Sequence, residues 1–152
     1  MPAVALLAPV PVEHLRTAIA VCEAEGKVAF GSRAWEVFRE LDFERNGEPI
    51  DVYIYASGEP DSDRWEVSWR GRYIGHVEGK SGAHPDGMRF RPTSTAKYVG
   101  DNTGHWVVFW ELDNLIEIPA EERIPTGQFL GHKTGKQYKK SFVPQGPLIV
   151  AR

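Results

Sequence analysis

Residues 65–73 run Trp-Glu-Val-Ser-Trp-Arg-Gly-Arg-Tyr, and this stretch decides the fold. Apolar or small residues alternate here with polar and charged ones, which is the period of a β-strand that buries one face. The strand is expected to continue to Val77. Residues 50–56 form a second strand-like segment, rich in β-branched and aromatic side chains, and a Ser-Gly-Glu-Pro turn at 57–60 ends it. The middle of the chain is therefore expected to be sheet.

Two helices are expected before these strands. Apolar residues follow a 3-4-3 spacing from Val12 to Cys22, which places them on one helical face, and Gly26 is a suitable stop. A short apolar strand follows at 27–30. Ser32 is then in position to cap a second helix. The apolar stripe of that helix is expected to consist of Trp35, Phe38 and Leu41.

The second half of the chain predicts further strands and two long loops. Residues 105–112 are almost continuously apolar, as in a strand buried on both faces, and an apolar strand closes the chain at 148–150. Residues 79–104 and 127–140 are polar and loop-like. Two early helices followed by four to six strands predict one α+β domain over residues 1–152. We expect a small β-barrel, or a strongly curved mixed sheet, flanked by helices.

Composition excludes several classes of protein. The chain has 152 residues, of which 41% are hydrophobic and 26% charged, so a single domain can hold a core without metal or disulfide support. The single cysteine, Cys22, excludes an intramolecular disulfide and a Cys-based zinc site, and it indicates a reducing compartment. No apolar run approaches the ~18 residues of a membrane span. We therefore expect a soluble, cytoplasmic protein that does not bind membranes.

The usual catalytic motifs are absent from the sequence. The five histidines show neither HxH nor HExxH spacing, and there is no G-x-S-x-G elbow, Walker A loop or GxGxxG motif. Cys22 belongs to the apolar face of the first predicted helix, where a thiol usually packs. We therefore expect no catalytic residue, no metal site and no cofactor.

Charge and aromatic residues are both unevenly distributed. The net charge is −3, but no acidic residue follows Glu122 and six basic ones do. Such a segment fits an anionic partner such as a phosphate backbone, or else a solvated lysine-rich loop. Five Trp, five Tyr and seven Phe gather in the strand region, where Trp106 and Trp110 are expected to project to one side of a strand. An aromatic slot of this kind stacks a nucleobase with ~1–3 kcal/mol per base.

Four segments of the sequence resemble the PUA-like superfamily, in the order shared by its EVE, ASCH and YTH branches. They are Val28–Ser32, the helix with Trp35, the Asp-Val-Tyr-Ile-Tyr-Ala-Ser run at 51–57, and the glycine-containing strand at 67–75. The resemblance implies a compact β-barrel flanked by helices. It also implies a pocket at the end of the first strand, which holds a modified base between aromatic walls. Residues 1–26 and 79–104 have no counterpart in this pattern and are expected to be an extension and an insertion.

The resemblance further implies roles for particular residues. Ser32 and Ser57 would hydrogen-bond the edge of the base. Trp35 and Trp69 would stack on its ring, and Tyr55 would line the same pocket. Independently of the resemblance, the basic segment after Glu122 would supply the phosphate contacts, through Lys133, Lys136, Lys139 and Lys140. The expected function is a non-enzymatic module that binds nucleic acid, DNA or RNA, and reads a modified or flipped base.

Two other functions stay open at the level of sequence. ASCH relatives include hydrolases of nucleotide or RNA substrates, and Lys80, Glu78 or Asp101 would then supply the reactive group. Alternatively, the chain is a dimeric protein-interaction module, in which the aromatic faces form the interface and the lysines are merely solvated. A pocket that contains only aromatic and neutral polar groups would disfavour the hydrolase.

Overall fold

The computed structural model describes residues 3–58, 64–96 and 105–151. The two α-helices are α1 (Val12–Glu25) and α2 (Trp35–Arg45). Among the described residues, neither helix is long and apolar enough to cross a membrane. The strands are β1 (Val4–Pro11), β2 (Val28–Ser32), β3 (Ile50–Ser57), β4 (Glu66–Val67), β5 (Trp69–Glu78), β6 (Val108–Glu117), β7 (Ile124–Pro125), β8 (Leu130–Gly131) and β9 (Leu148–Ala151). Short 3-10 turns lie at Thr93–Thr95, Ala120–Glu122 and Thr126–Gln128.

Seven strands form one mixed sheet in the order β2-β6-β5-β3-β1-β9-β8, and β4 pairs with β7 in a separate two-stranded sheet. β1 and β3 run parallel, and the other neighbours in the large sheet run antiparallel. The predicted α+β class and mixed sheet are therefore confirmed. The outermost strands of the order, β2 and β8, do not pair with each other in the described part of the chain, so the sheet is open and a closed barrel is not confirmed.

The first helix packs across the open sheet. β1 and β2 lie four positions apart in the strand order, which is about 19 Å for strands ~4.8 Å apart. α1 has 14 residues and is about 21 Å long, and it contacts both of these strands as well as β3 and β6. The main core includes buried residues of the helices and the sheet, and its largest fully buried side chains include Trp69, Tyr73, Phe38 and Leu15.

The N-terminal segment that was expected as an extension contributes an interior strand. β1 pairs with β3 over Leu6–Pro11 and with β9 over Val4–Leu7. Beyond Leu7, β3 is the only neighbour of β1 within the described residues, so Pro9 and Pro11 lie on a stretch with one free edge. Proline is tolerated on such an edge because its missing N–H need not serve a second ladder. A strand that ends in a proline-rich run can therefore lie in the interior of the sheet.

The second helix begins later than the sequence predicted. Ala34 occupies the cap position of α2, so the expectation that Ser32 caps this helix is wrong. Ser32 still belongs to β2, and its Oγ accepts a hydrogen bond from the Ala34 N–H at 3.1 Å. Trp35 is 47% exposed at the start of α2, whereas Phe38 and Leu41 are fully buried. The buried stripe of the helix therefore excludes Trp35.

The described part of the long loop, residues 79–96, packs against the sheet and the first helix. The Ala29 N–H donates to the Phe90 carbonyl at 2.7 Å. The Ser94 hydroxyl lies 2.8 Å from both His14 Nδ1 and Thr17 Oγ1 on α1. The loop thereby joins β2 to α1, and it forms one wall of the space between them.

Candidate functional site

A cavity of about 980 Å³ opens where β1 and β2 end and the two helices begin. This volume is at the upper end of the range for small-molecule pockets, roughly 300–1,000 Å³. β1 lines it with residues 8–11, and β2 with the turn that follows lines it with residues 29–34. The long loop contributes Arg91 and Thr95, and residues 145–147 also line the cavity. The remaining residues of the described lining are His14, His105, Trp106 and Trp110.

Aromatic rings form one part of the wall. Phe30, Trp106 and Trp110 all line the cavity, although Trp106 precedes β6 and only Trp110 lies on the strand that was expected to carry both. The rings of Phe30 and Trp110 lie 5.0 Å apart between centroids, and both residues are buried. Trp106 is 38% exposed. Its indole lies against the backbone of Gly31, where a Cβ atom would come within 2.6 Å of Trp106 Cδ2. The absence of a side chain at Gly31 is therefore what lets this ring lie flat on β2.

The charged side chains of the described lining are basic. Arg33 and Arg91 line the cavity together with His14 and His105, and no carboxylate is among the described lining residues. Arg33 is exposed, and its Nε donates to the His105 carbonyl at 3.1 Å. Arg91 is only 2% exposed. Burial lowers the pKa of His14, with Glu13 opposing this change and Arg91 adding to it. The charged side chains of the described lining are therefore the two arginines, while burial shifts His14 toward its neutral form.

Two sheet edges border the same cavity. β2 is the outermost strand of the sheet, and β1 has β3 as its only described neighbour beyond Leu7. Edge strands present backbone N–H and C=O groups that the sheet ladder does not use. Part of the β2 edge is occupied, because the Ala29 N–H donates to the Phe90 carbonyl of the long loop at 2.7 Å. Pro9 and Pro11 carry no N–H, so the free edge of β1 at residues 8–11 is poor in backbone donors and presents mainly carbonyl acceptors.

One of the predicted pocket residues, Ser32, lines this cavity. The other four, which are not among its described lining, are Trp35, Tyr55, Ser57 and Trp69. Trp69 is fully buried in the main core and Tyr55 is buried on β3. Ser57 ends β3 and is partly buried, and Trp35 is exposed on α2. Of the five predicted residues, Ser32 is therefore the only one in the described lining of this cavity.

The four predicted phosphate-binding lysines lie on the exposed loop at 127–140 and are not among the described lining of the cavity. Lys133 Nζ lies 3.4 Å from Glu40 Oε1 on α2, and the neighbouring His132 Nε2 lies 3.5 Å from Glu44 Oε1. The start of the loop therefore faces acidic side chains of α2. The lysines farther along the exposed loop are Lys136, Lys139 and Lys140.

The two described residues considered for hydrolysis do not line this cavity. Glu78 and Lys80 are exposed and are absent from the described lining. Asp101 lies outside the described residues. Across residues 3–58, 64–96 and 105–151, there is also no group of three His, Cys, Asp or Glu side chains that could hold a metal ion.

A buried ionic group fastens the long loop to the sheet. Lys27 Nζ lies 3.0 Å from Glu111 Oε2 on β6, and His84 Nε2 lies 3.9 Å from the same oxygen. Burial opposes ionisation of Glu111, but the nearby His84 and the hydrogen bond from Lys27 prevail and lower its pKa. His84 Nδ1 accepts the Asp86 N–H at 2.9 Å, which fixes the ring within the loop. The group thereby positions the loop that carries Arg91.

Comparison with known proteins adds no assignment, because no protein-family model and no curated protein matches the chain. The function is therefore argued from the geometry of the cavity.

Proposed function

We propose that the protein is a non-enzymatic nucleic-acid-binding module that takes an unstacked base into the cavity between β1 and β2. One observation carries the proposal. A single cavity is lined by aromatic rings and basic side chains, with no carboxylate in its described lining. Nucleotides combine a planar ring with an anionic backbone, so both features suit the same ligand. The resemblance of the sequence to the PUA-like superfamily supports the proposal.

Stacking on Trp106 supplies most of the base affinity in this proposal. The ring is partly exposed at the cavity and is held against β2 by its contact with Gly31. A base stacked on such a ring gains ~1–3 kcal/mol, whatever its sequence. Hydrogen bonds with Ser32 and with carbonyl groups on the free edge of β1 then reach the polar edge of the base. Recognition of an extruded base commonly combines stacking and edge contacts in this way.

The basic loop contacts the strand outside the cavity. Residues 145–147 line the cavity, and the chain from Lys140 to Gln145 spans at most ~18 Å when fully extended. Lys136, Lys139 and Lys140 are exposed and shortly precede this segment in the chain. In this proposal they contact the phosphates that flank the inserted nucleotide. These contacts release counterions, so the affinity falls as the salt concentration rises.

The test compares two tryptophans of equal exposure. Trp106 is 38% exposed and lines the cavity, whereas Trp65 is 39% exposed and is not in the described lining. Fluorescence anisotropy would measure the binding of labelled single-stranded oligonucleotides of about 12 nucleotides, DNA and RNA, with a methylated or unmethylated central base. We expect Trp106→Ala to weaken binding roughly 5- to 150-fold, which corresponds to a lost stack of ~1–3 kcal/mol. Trp65→Ala should change it less than about twofold. Absence of salt-dependent binding by any oligonucleotide, or equal losses in the two variants, would overturn the proposal.

A further inference from the structure

The free edge of β1 presents a carbonyl acceptor at Pro9. The N–H of His132, the residue after β8, donates to the Ile149 carbonyl at 3.3 Å, so the backbone groups of Ile149 point toward β8. Successive residues of a strand turn their N–H and C=O groups to opposite sides. Leu148 therefore faces β1, and its register partner Leu7 faces β9. Pro9 lies two residues beyond Leu7 and faces the same side, where β9 no longer pairs with β1.

This stretch of the edge has an acceptor but no donor. Proline has no N–H, so Pro9 adds only its carbonyl to the edge. The backbone groups of Ala8 and Val10 turn the other way, toward β3. Pro11 occupies the cap position of α1, where a carbonyl accepts the first hydrogen bond of the helix. In the described part of the chain, no loop N–H donates to the Pro9 carbonyl, and Pro9 lines the cavity.

The opposite wall, on β2, supplies hydrogen-bond donors. The Ala29 N–H points away from β6, because it donates to the Phe90 carbonyl at 2.7 Å. Gly31, two residues later, turns its N–H and carbonyl to the same outer edge, and it lines the cavity. Ser32 Oγ already accepts the Ala34 N–H at 3.1 Å, so its hydroxyl proton remains to be donated. A ligand held between the two walls therefore meets an acceptor from β1 and donors from β2.

We propose that the cavity selects a base with an exocyclic amino group, which donates to the Pro9 carbonyl while the adjacent ring nitrogen accepts from the β2 wall. The proposal rests on the proposed function and deepens it by naming the class of base. Adenine and cytosine carry an amino group beside an unprotonated ring nitrogen, whereas uracil, thymine and hypoxanthine carry a carbonyl beside an N–H. A keto base would turn its carbonyl toward Pro9 and leave two acceptors facing each other, with no N–H on that edge to serve either.

The first experiment varies the base and leaves the protein unchanged. Fluorescence anisotropy would measure the binding of labelled oligothymidine of about 12 nucleotides with one central adenine, hypoxanthine, cytosine or uracil. The thymine flanks are keto bases and do not compete for the site. We expect adenine to bind roughly 5- to 150-fold more tightly than hypoxanthine, and cytosine likewise than uracil, because each keto base leaves a buried acceptor without a donor.

The second experiment adds a donor to the edge of β1. Pro9→Ala restores a backbone N–H on the cavity side, which a keto base can use. We expect the preference for adenine over hypoxanthine to fall about threefold or more, since the disfavoured base gains a hydrogen bond. Pro125→Ala is the matched control, because Pro125 is also a strand proline, is exposed on β7 and is not in the described lining. It should leave the preference unchanged.

The outcomes separate the two proposals. If Trp106→Ala weakens binding but amino and keto bases bind alike, or the keto bases bind more tightly, this inference is overturned while the proposed function stands. If no oligonucleotide binds, both are overturned. A folded Pro9→Ala protein that keeps the full preference shows that another group reads the base, which also overturns the inference. If Pro9→Ala does not fold, the base series on the unchanged protein decides the matter.

Discussion

Gly31→Ala is expected to weaken nucleic-acid binding through the tryptophan that rests on it. The Gly31 backbone has no left-handed φ, so alanine is compatible with the strand itself. The added methyl group, however, would come within 2.6 Å of Trp106 Cδ2 and closer still to Cδ1. Atoms cannot remain this close, and the indole must therefore move off β2. The flat wall of the cavity is lost although no ligand-binding side chain has been changed.

Gly31→Ala is expected to lower both the folding stability and the binding affinity. Overpacking in a protein interior costs ~1–3 kcal/mol of folding stability. Trp106 is a side chain with 38% exposure and can swing outward, so we expect a cost near the lower limit. Loss of the stacked base costs ~1–3 kcal/mol of binding energy, or roughly 5- to 150-fold in affinity. Binding should therefore suffer at least as much as stability.

A double-mutant cycle provides the assay. Oligonucleotide affinity would be measured by anisotropy, and stability by urea unfolding, for Gly31→Ala, Trp106→Ala and the variant that carries both changes. If Gly31 acts only through Trp106, the double variant binds like Trp106→Ala, within ~0.5 kcal/mol of binding free energy. Two independent, additive losses, or an unchanged affinity in a folded Gly31→Ala protein, would refute the reasoning.

Three further predictions concern stability. Phe38→Ala should cost ~3–5 kcal/mol in urea unfolding, since this fully buried ring stacks 5.8 Å from Trp110; a loss under 1 kcal/mol would be contradictory. Gly127→Ala should cost ~1–3 kcal/mol, because a Cβ there would lie 2.9 Å from Lys140 Cα, in backbone that must shift; an unchanged melting temperature would count against this. Glu111→Gln should lower the melting temperature at neutral pH. The ionised carboxylate stabilises the fold above its ordinary pKa of 4.5, and this stabilisation is lost as the pH falls through the lowered pKa of the folded state. The gap between wild type and variant should therefore narrow in acid, and a constant gap would contradict the pKa direction.

Local patterns in the sequence predicted most of the individual elements. The apolar spacing predicted α1, which ends at Gly26 in the left-handed conformation with φ 82°. β3 extends over Ile50–Ser57, against an expected 50–56. The alternating pattern at 65–73 is divided between β4 and β5, with Ser68 between the two strands. These elements were predictable because the residues that determine them are neighbours in the chain.

The cavity was less predictable because it depends on the order of the strands. The alternating pattern identified one face of β5 as aromatic but could not tell whether that face met a ligand or the core, and Trp69 packs in the core. The actual lining joins the ends of β1 and β2, which lie four positions apart in the sheet, with Arg91 from the long loop. The four-residue spacing of Trp106 and Trp110 was a local signal that pointed to residues of the lining. No local sequence pattern connected these two tryptophans with Arg33, which lines the same cavity.

The most direct test of a base held in this cavity is the NMR spectrum of the indole N–H groups during titration with a single-stranded oligonucleotide. The chain has five tryptophans, so each indole can be assigned by single substitution. The proposed function predicts that the signals of Trp106 and Trp110 shift on binding, while that of the equally exposed Trp65 does not. Shifts at Trp65 or Trp35, with Trp106 and Trp110 unmoved, would contradict it.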